Sequence, residues 1–319
     1  MNDRANNRRW ALLGMGIALL VLIFLPPLLP PYVTVLLTQG LIYGIAAMSL
    51  DILIGYTGLA ALGHAAFFAI GSYTAAILIT RYHLGFGTGL ISSVGIAAVA
   101  AAALGPLSLR ATRIYFLMIT LSIAMCLWGL IYRWSSFTGG DNGISGIHRP
   151  DLGLPLSMSE DRFFYYFILA VFIVITMLII RLIHSPFGKT LVGIRDSESR
   201  MRVLGFNTWL HKYMAYIIAG ALAGFAGNLY AYYNGFVNAD IANLPGCMKL
   251  VLMVSLGGKG TLLGPAIGAV IITFLENMVS VYTDRWLMVL GIVYIVTARV
   301  MPGGIMAILK QLGRSTKTL

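Results

Sequence analysis

Residues 163–182 read FFYYFILAVFIVITMLIIRL, and no charged side chain interrupts them from Phe163 to Ile180. About 20 apolar residues in a row match the thickness of a bilayer's hydrocarbon core as an α-helix. The run is continuous, not alternating, so it predicts a membrane-spanning helix and excludes a barrel strand. Runs of the same kind lie outward from it at 10–29, 32–54, 61–80, 89–109, 114–132, 213–233, 244–256, 261–281 and 286–308. Together they predict an all-α, polytopic transmembrane helix bundle of about ten spans. The run at 244–256 is short, so it either borrows its glycine-rich flank to finish crossing or is re-entrant.

The whole chain agrees with that reading, with 319 residues of which 59% are hydrophobic and 10% charged. Soluble proteins carry about 25% charged residues, which excludes a soluble enzyme. A net charge of +11 would suggest nucleic acid in a soluble protein, but here the basic residues sit in the gaps between apolar runs and act as orientation signals. With the N-terminus in the cytoplasm, sixteen of the 22 Lys and Arg residues fall inside. Arg81, Arg133, Arg149, Arg162, Lys249 and Arg285 fall outside, where acids offset them. Both termini are then cytoplasmic. Arg8 and Arg9 precede RRWALLGMGIALL's apolar part as in a twin-arginine signal, but nothing exportable follows, so an uncleaved first span is expected. The chain reads as one domain, with tails at 1–9 and 309–319, membrane parts at 10–183 and 213–308, and a cytoplasmic segment at 184–212. Cys126 and Cys247 stand far apart, so no disulfide framework or metal site follows.

Two hydrophilic segments are long enough to carry function. The internal one reads SPFGKTLVGIRDSESRMRVLGFNTWLHK from Ser185. Leu191, Ile194, Met201 and Leu204 recur there at helical spacing among Arg195, Asp196, Glu198, Arg200 and Arg202, which predicts one short amphipathic helix ended by Gly205. It could lie on anionic lipid through its arginines, but the interleaved Asp196 and Glu198 favour a protein groove. The external segment, 133–162, carries FTGGDNGISGIHRPDLGLP, in which Asp141 and Asn142 either dock a soluble partner or belong to a plain connector.

Within the spans, Asp51 and Glu276 are the acids, and a carboxylate there is costly enough to need a reason. Each either pairs with a helix end or polar neighbour, or lines a pathway. His64 follows a glycine-rich break and either faces a polar cavity or packs. GYTG at 55–58, with Tyr56 and Thr57, and GGKG at 257–260 each follow a span running inward. Interrupted helices in two halves point to a transport pathway, and close helix packing is the other reading. Gly40 and Gly44, Gly220 and Gly224, and Gly264 and Gly268 have the small-xxx-small spacing of packing glycines.

Catalytic look-alikes fail on context. FGKT at 187–190 would need its first glycine at Ile183 to bind phosphate. GISG at 143–146 resembles an intramembrane-protease serine motif, but Ser145 falls in the external loop beside His148, leaving a hydrolase built on Ser145 or His64 as a remote alternative. No HExxH or similar spacing occurs, so neither metal nor cofactor is expected.

The stretches SLDILIGYTGLAALGHAAFFAIGSYTAA, IYFLMITLSIA, TGGDNGISGI, SPFGKTLVGIRDSESRMRVLGFN, AGALAGFAGNLYAYYNGFV and LGGKGTLLGPAIGA occur in that order. In them the chain resembles the M-type permease family of bacterial branched-chain amino-acid ABC transporters, over roughly residues 35–305. The resemblance implies an inner-membrane permease that pairs with an H-type permease, two ATPase subunits and an extracytoplasmic amino-acid-binding protein. Related permeases carry urea or short amides. The family's ATPase-coupling loop corresponds to Gly193 through Asn207, and so to Gly193, Ile194, Arg195, Asp196, Ser197, Glu198, Arg200 and Gly205. Glu198 and Gly205 stand at the spacing of the importer EAA pattern, with Ser199 and Arg200 in place of its alanines.

Overall fold

The computed structural model describes residues 30–111, 114–149, 160–283, 285–301 and 303–307. The expected first span, 10–29, and both tails lie outside them. Helix α1 is Pro31–Asp51 and continues as a π-helical segment, Ile52–Thr57. Then come α2 (Ala65–Tyr82), α3 (Phe86–Ser108), α4 (Ile114–Arg133) and α5 (Asp161–His184). Two shorter helices follow, α6 (Pro186–Asp196) and α7 (Glu198–Val203). The chain returns as α8 (Thr208–Asn234), α9 (Leu244–Gly257), α10 (Leu263–Tyr282) and α11 (Trp286–Val300). Seven helices among the described residues are long and apolar enough to cross a membrane; α9 and α11 are shorter.

Some boundaries differ from the sequence expectation, each for a local reason. Helix α2 starts at Ala65 because Gly58, at φ +73°, stops the π-helical segment and the chain then runs irregularly to His64. A side chain on Gly63 would overlap the Thr120 carbonyl of α4, and the Leu62 N–H donates to Thr120 Oγ1 at 3.3 Å. The second half of that irregular stretch, Ala61 to His64, is thus packed into protein, a setting in which irregular backbone is tolerated among membrane helices. Helix α8 begins at Thr208 rather than Tyr213, because Asn207 caps it by accepting from the Leu210 N–H at 3.0 Å. Helix α11 stops at Val300, two residues before a proline, which disfavours helical geometry at Met301.

Helix α1 is the hub, packed against α5, α8, α9 and α10, while α8 also packs on α2 and α3. Lipid tails are as apolar as leucine, so helices associate in a bilayer through close packing and interhelical hydrogen bonds. The glycine pairs supply the first. A Cβ on Gly40 would lie 3.1 Å from Val270 Cα on α10, and one on Gly220 would lie 2.6 Å from Ala101 Cβ on α3. The second comes from Ser72 Oγ donating to the Gly227 carbonyl at 2.9 Å, Ser93 Oγ to Gly71 at 3.0 Å, and Asn228 Nδ2 to Ser93 Oγ at 3.0 Å. Outward faces of α3 and α4 expose Ile91, Val99, Ile114 and Met118, apolar surface suited to lipid. At the other end of the bundle, Ile144–Ser145 (β1) pairs antiparallel with Phe236–Val237 (β2), so the described part of the α4–α5 connection, up to residue 149, meets the α8–α9 connection there.

Candidate functional site

The 184–212 segment, expected on the cytoplasmic side, forms two helices where the sequence predicts one. Ser185 starts α6 by accepting from the Gly188 N–H at 3.3 Å, with Pro186 at the first helical position. Ser197 then leaves the helix with φ −161° and ψ 100°, and its hydroxyl accepts from the Arg200 N–H to start α7. A serine that can cap the next turn competes with helix continuation, and here it wins. Gly205, at φ +86°, closes α7 as expected, with the Phe206 N–H on the Met201 carbonyl (3.1 Å) and the Gly205 N–H on Arg202 (3.0 Å). The two helices fold together over Gly193, where a Cβ would lie 2.8 Å from Met201 Sδ. Of the expected apolar anchors, Leu191 and Ile194 are buried, whereas Leu204 is 64% exposed. Val203 and Leu204 at the end of α7, and Phe206 and Trp209 after it, are exposed.

The charges of the segment divide between inside and outside partners. Glu198 accepts from Lys212 Nζ (2.5 Å), Arg202 Nη2 (2.8 Å) and Thr208 Oγ1 (3.2 Å), clasping α7 to the start of α8. Partial burial works to raise its carboxyl, but the hydrogen bonds from Lys212 and Arg202 outweigh it and hold Glu198 below its ordinary value. Arg200 and Asp196 are exposed. Arg195 reaches inward instead, and its Nη1 donates to the Gly55 carbonyl at 2.6 Å.

Gly55 belongs to a node where the two glycine-rich breaks meet. The Asp51 carboxylate, 1% exposed, accepts from the Gly260 N–H at 2.8 Å and the Leu262 N–H at 3.4 Å. It thereby satisfies the otherwise orphaned backbone donors at the start of α10, where the helix dipole also favours a negative charge. A side chain on Gly55 would overlap both the Asp51 carboxylate and the Gly260 backbone. GYTG, GGKG and α6 are therefore in direct contact, joined by Asp51 and Arg195. Thr57 Oγ1 donates to the Leu53 carbonyl, and Tyr56 is half-buried beside it.

The remaining candidates lie elsewhere. His64 is buried and its Nε2 hydrogen-bonds Ser49 Oγ at 2.8 Å. Ser145 is in β1, so the structure does not bring it to His64. Asp141 and Asn142 are exposed in a 3₁₀ turn, Gly140–Asn142, of the α4–α5 connection. Glu276 on α10 is ion-paired with Lys249 on α9. Sequence reasoning treated Lys249 only as an outside charge, although one lysine in an apolar helix was the available signal. The pair lines a cavity of about 340 Å³ with Tyr43, Tyr230 and the 238–243 connection.

A mostly helical bundle with seven membrane-length helices among the described residues, and a two-helix segment keyed into its broken helices, defines a multi-pass membrane protein of the transport type. The chain belongs to the family described as branched-chain amino acid transport system / permease component, whose model matches residues 32–298. It is 31% identical over 276 residues to the high-affinity branched-chain amino acid transport system permease protein LivM of Salmonella typhimurium, covering 80% of this chain and 65% of that protein. Against LivM of Escherichia coli the identity is 30% over 298 residues, covering 86% and 70%. The LivH permease protein of S. typhimurium is 25% identical over 288 residues, covering 84% and 92%. The chain thus spans about two thirds of the LivM relatives' length. These relatives are named as permease proteins, so the hydrolase reading is set aside. No solved structure matches.

Proposed function

We propose that this chain is one half of the translocation pore of an ATP-driven importer in the bacterial inner membrane, carrying branched-chain or other small amino acids inward. Ten spans with both termini cytoplasmic complete the arrangement, and an H-type permease, two ATPase subunits and an extracytoplasmic binding protein complete the complex. The observation that carries the reading is the Arg195 hydrogen bond to Gly55, which ties the cytoplasmic helix α6 to the joint between the two broken helices. Closure of the ATPases on ATP pushes α6 and α7. Arg195 passes that displacement to the end of α1, Asp51 passes it to the start of α10, and the cavity changes sides. A ligand can shift such an equilibrium only by differential contact with its two states, which a rigid link between α6 and the span ends provides. Exposed Val203, Leu204 and Phe206 offer the ATPase an apolar footing beside the exposed charges of Asp196 and Arg200. On the outer face, Asp141 and Asn142 offer a docking point to the binding protein.

Purification of the native complex, with mass spectrometry of the co-purifying chains and of the solute on the binding protein, tests the reading. Recovery of an H-type permease, ATPases and a branched-chain amino acid is the expected result. Recovery of urea or a short amide on the binding protein would move the substrate to the other class, and a chain isolated without ATPases would overturn the importer.

A further inference from the structure

We propose that the cavity between α1, α8, α9 and α10 is a binding site for a zwitterion, with Lys249 taking the carboxylate and Glu276 the ammonium of an amino acid. The inference rests on the importer reading and names the substrate class of its pathway. Its argument starts from the placement of two full charges inside an apolar bundle. Lys249 stands midway along α9 among Met248, Leu250 and Val251, and Glu276 stands on the facing side of α10. Their side chains are only 11% and 18% exposed. Charged side chains at such positions are expensive to insert and mark pathways more often than they stabilise a fold.

The surroundings fit a small ligand with both charges and an apolar tail. Lys249 Nζ lies 4.2 Å from the centroid of the Tyr43 ring, which itself stacks on Phe68. Asp240 stands at the rim, oriented by Asn238 Nδ2 (2.9 Å) and Asn243 Nδ2 (3.3 Å). Leu250, Ile241 and Trp286 supply apolar wall. The volume of about 340 Å³ is at the small end of the roughly 300–1,000 Å³ usual for small-molecule sites.

Charge balance selects the ligand class. At the Lys249–Glu276 pair an anion would satisfy Lys249 and leave Glu276 facing it, and a cation, which Asp240 at the rim would also attract, would leave Lys249 facing it; either strands one charge in a poorly solvated place. A neutral amide gains hydrogen bonds but no ion pair. A zwitterion alone replaces one ion pair with two at unchanged net charge. Release is equally accessible, because the Lys249–Glu276 pair re-forms as the ligand leaves, which a pathway needs and a storage site does not.

The test uses leucine uptake into proteoliposomes holding the complete complex, and the double variant Lys249→Met with Glu276→Gln. Replacing a buried ion pair by neutral groups of similar size is commonly tolerated by a fold, so a purely structural pair predicts wild-type uptake. The zwitterion site predicts that the variant still inserts and co-purifies with its partners while leucine uptake falls by about thirtyfold or more. A second measurement holds if that variant misfolds. Leu287→Cys is placed at the cavity wall, Cys126 and Cys247 are changed to Ser, and a membrane-impermeant thiol reagent is added from outside. Leucine should slow the labelling several-fold, whereas leucinol, 4-methylpentanoate and urea should not. Equal labelling with and without leucine overturns the site, as does protection by urea alone. A wild-type complex that takes up no amino acid would sink the importer reading separately.

Discussion

Arg195→Met removes the hydrogen bond that links α6 to the GYTG break while keeping a long apolar stem beside Gly58. In the wild type the guanidinium donates to the carbonyl of buried Gly55 at 2.6 Å, and on its other edge it pairs with exposed Asp196 at 3.0 Å. A hydrogen bond from a charged group is worth about 1.5–3 kcal/mol. The Arg195 side chain is 39% exposed, so water reclaims part of that, and about 1–1.5 kcal/mol is left for the link. The Asp196 pair lies at the surface and contributes little. If the link carries coupling, its loss divides the coupling constant by roughly five to twelve, within the 1–3 kcal/mol range usual for linked sites. The assay is amino-acid uptake per ATP hydrolysed in proteoliposomes, with co-purification of the ATPases checked in parallel. The expected outcome is an intact complex that hydrolyses ATP but takes up roughly a tenth as much solute per ATP as the wild type. Arg195→Lys should recover part of the ratio, because an ammonium can donate the same bond. A ratio within twofold of wild type for Arg195→Met, in an assembled complex, would refute the mechanical role of this contact.

Four further outcomes follow, three of them from the same geometry. Gly55→Ala pushes a methyl into Asp51 and Gly260 and should cost about 1–3 kcal/mol or block folding, whereas Gly85→Ala, with open space around it, should leave the melting temperature unchanged. Glu198→Lys sets a cation against Lys212 and Arg202, so α7 should detach and uptake should be lost while the chain still inserts. Because the Glu198 carboxyl is held below its ordinary value, its stabilising effect is complete above the unfolded-state value and is lost as pH falls through the lowered folded one; hydrogen exchange in α7 should rise only in that acidic window. For topology, single cysteines at Ser197 and Gly313 should label only from the cytoplasm and those at Asn142 and Thr283 only from outside; inside-only labelling at Asn142 would reverse the orientation.

The amino-acid order alone determined the seven membrane-length helices among the described residues, because a bilayer demands some 20 continuous apolar residues and those runs meet that demand locally, whereas the runs at 244–256 and 286–308 form shorter helices. Caps were equally local: Ser185, Asn207 and Gly205 act within three residues of themselves. The glycine breaks at 55–58 and 257–260 were visible as interruptions, and the reading of Asp51 as a helix-end partner was available from cost alone. What tertiary packing decided was who meets whom. Asp51 and Gly260 stand 209 positions apart and Arg195 and Gly55 140 apart, and only the seating of α1 against α9, α10 and α6 brings them to hydrogen-bond distance. Lys249 read as an outside charge because hydropathy registers a charge without its partner; the rotation of α9 and α10 about their axes puts it on Glu276. The break at Ser197 was hidden for a related reason. Apolar spacing carries across 190–204, and whether the serine hydroxyl caps or continues is settled by Met201 packing onto Gly193, a contact that exists only once the two helices have folded together.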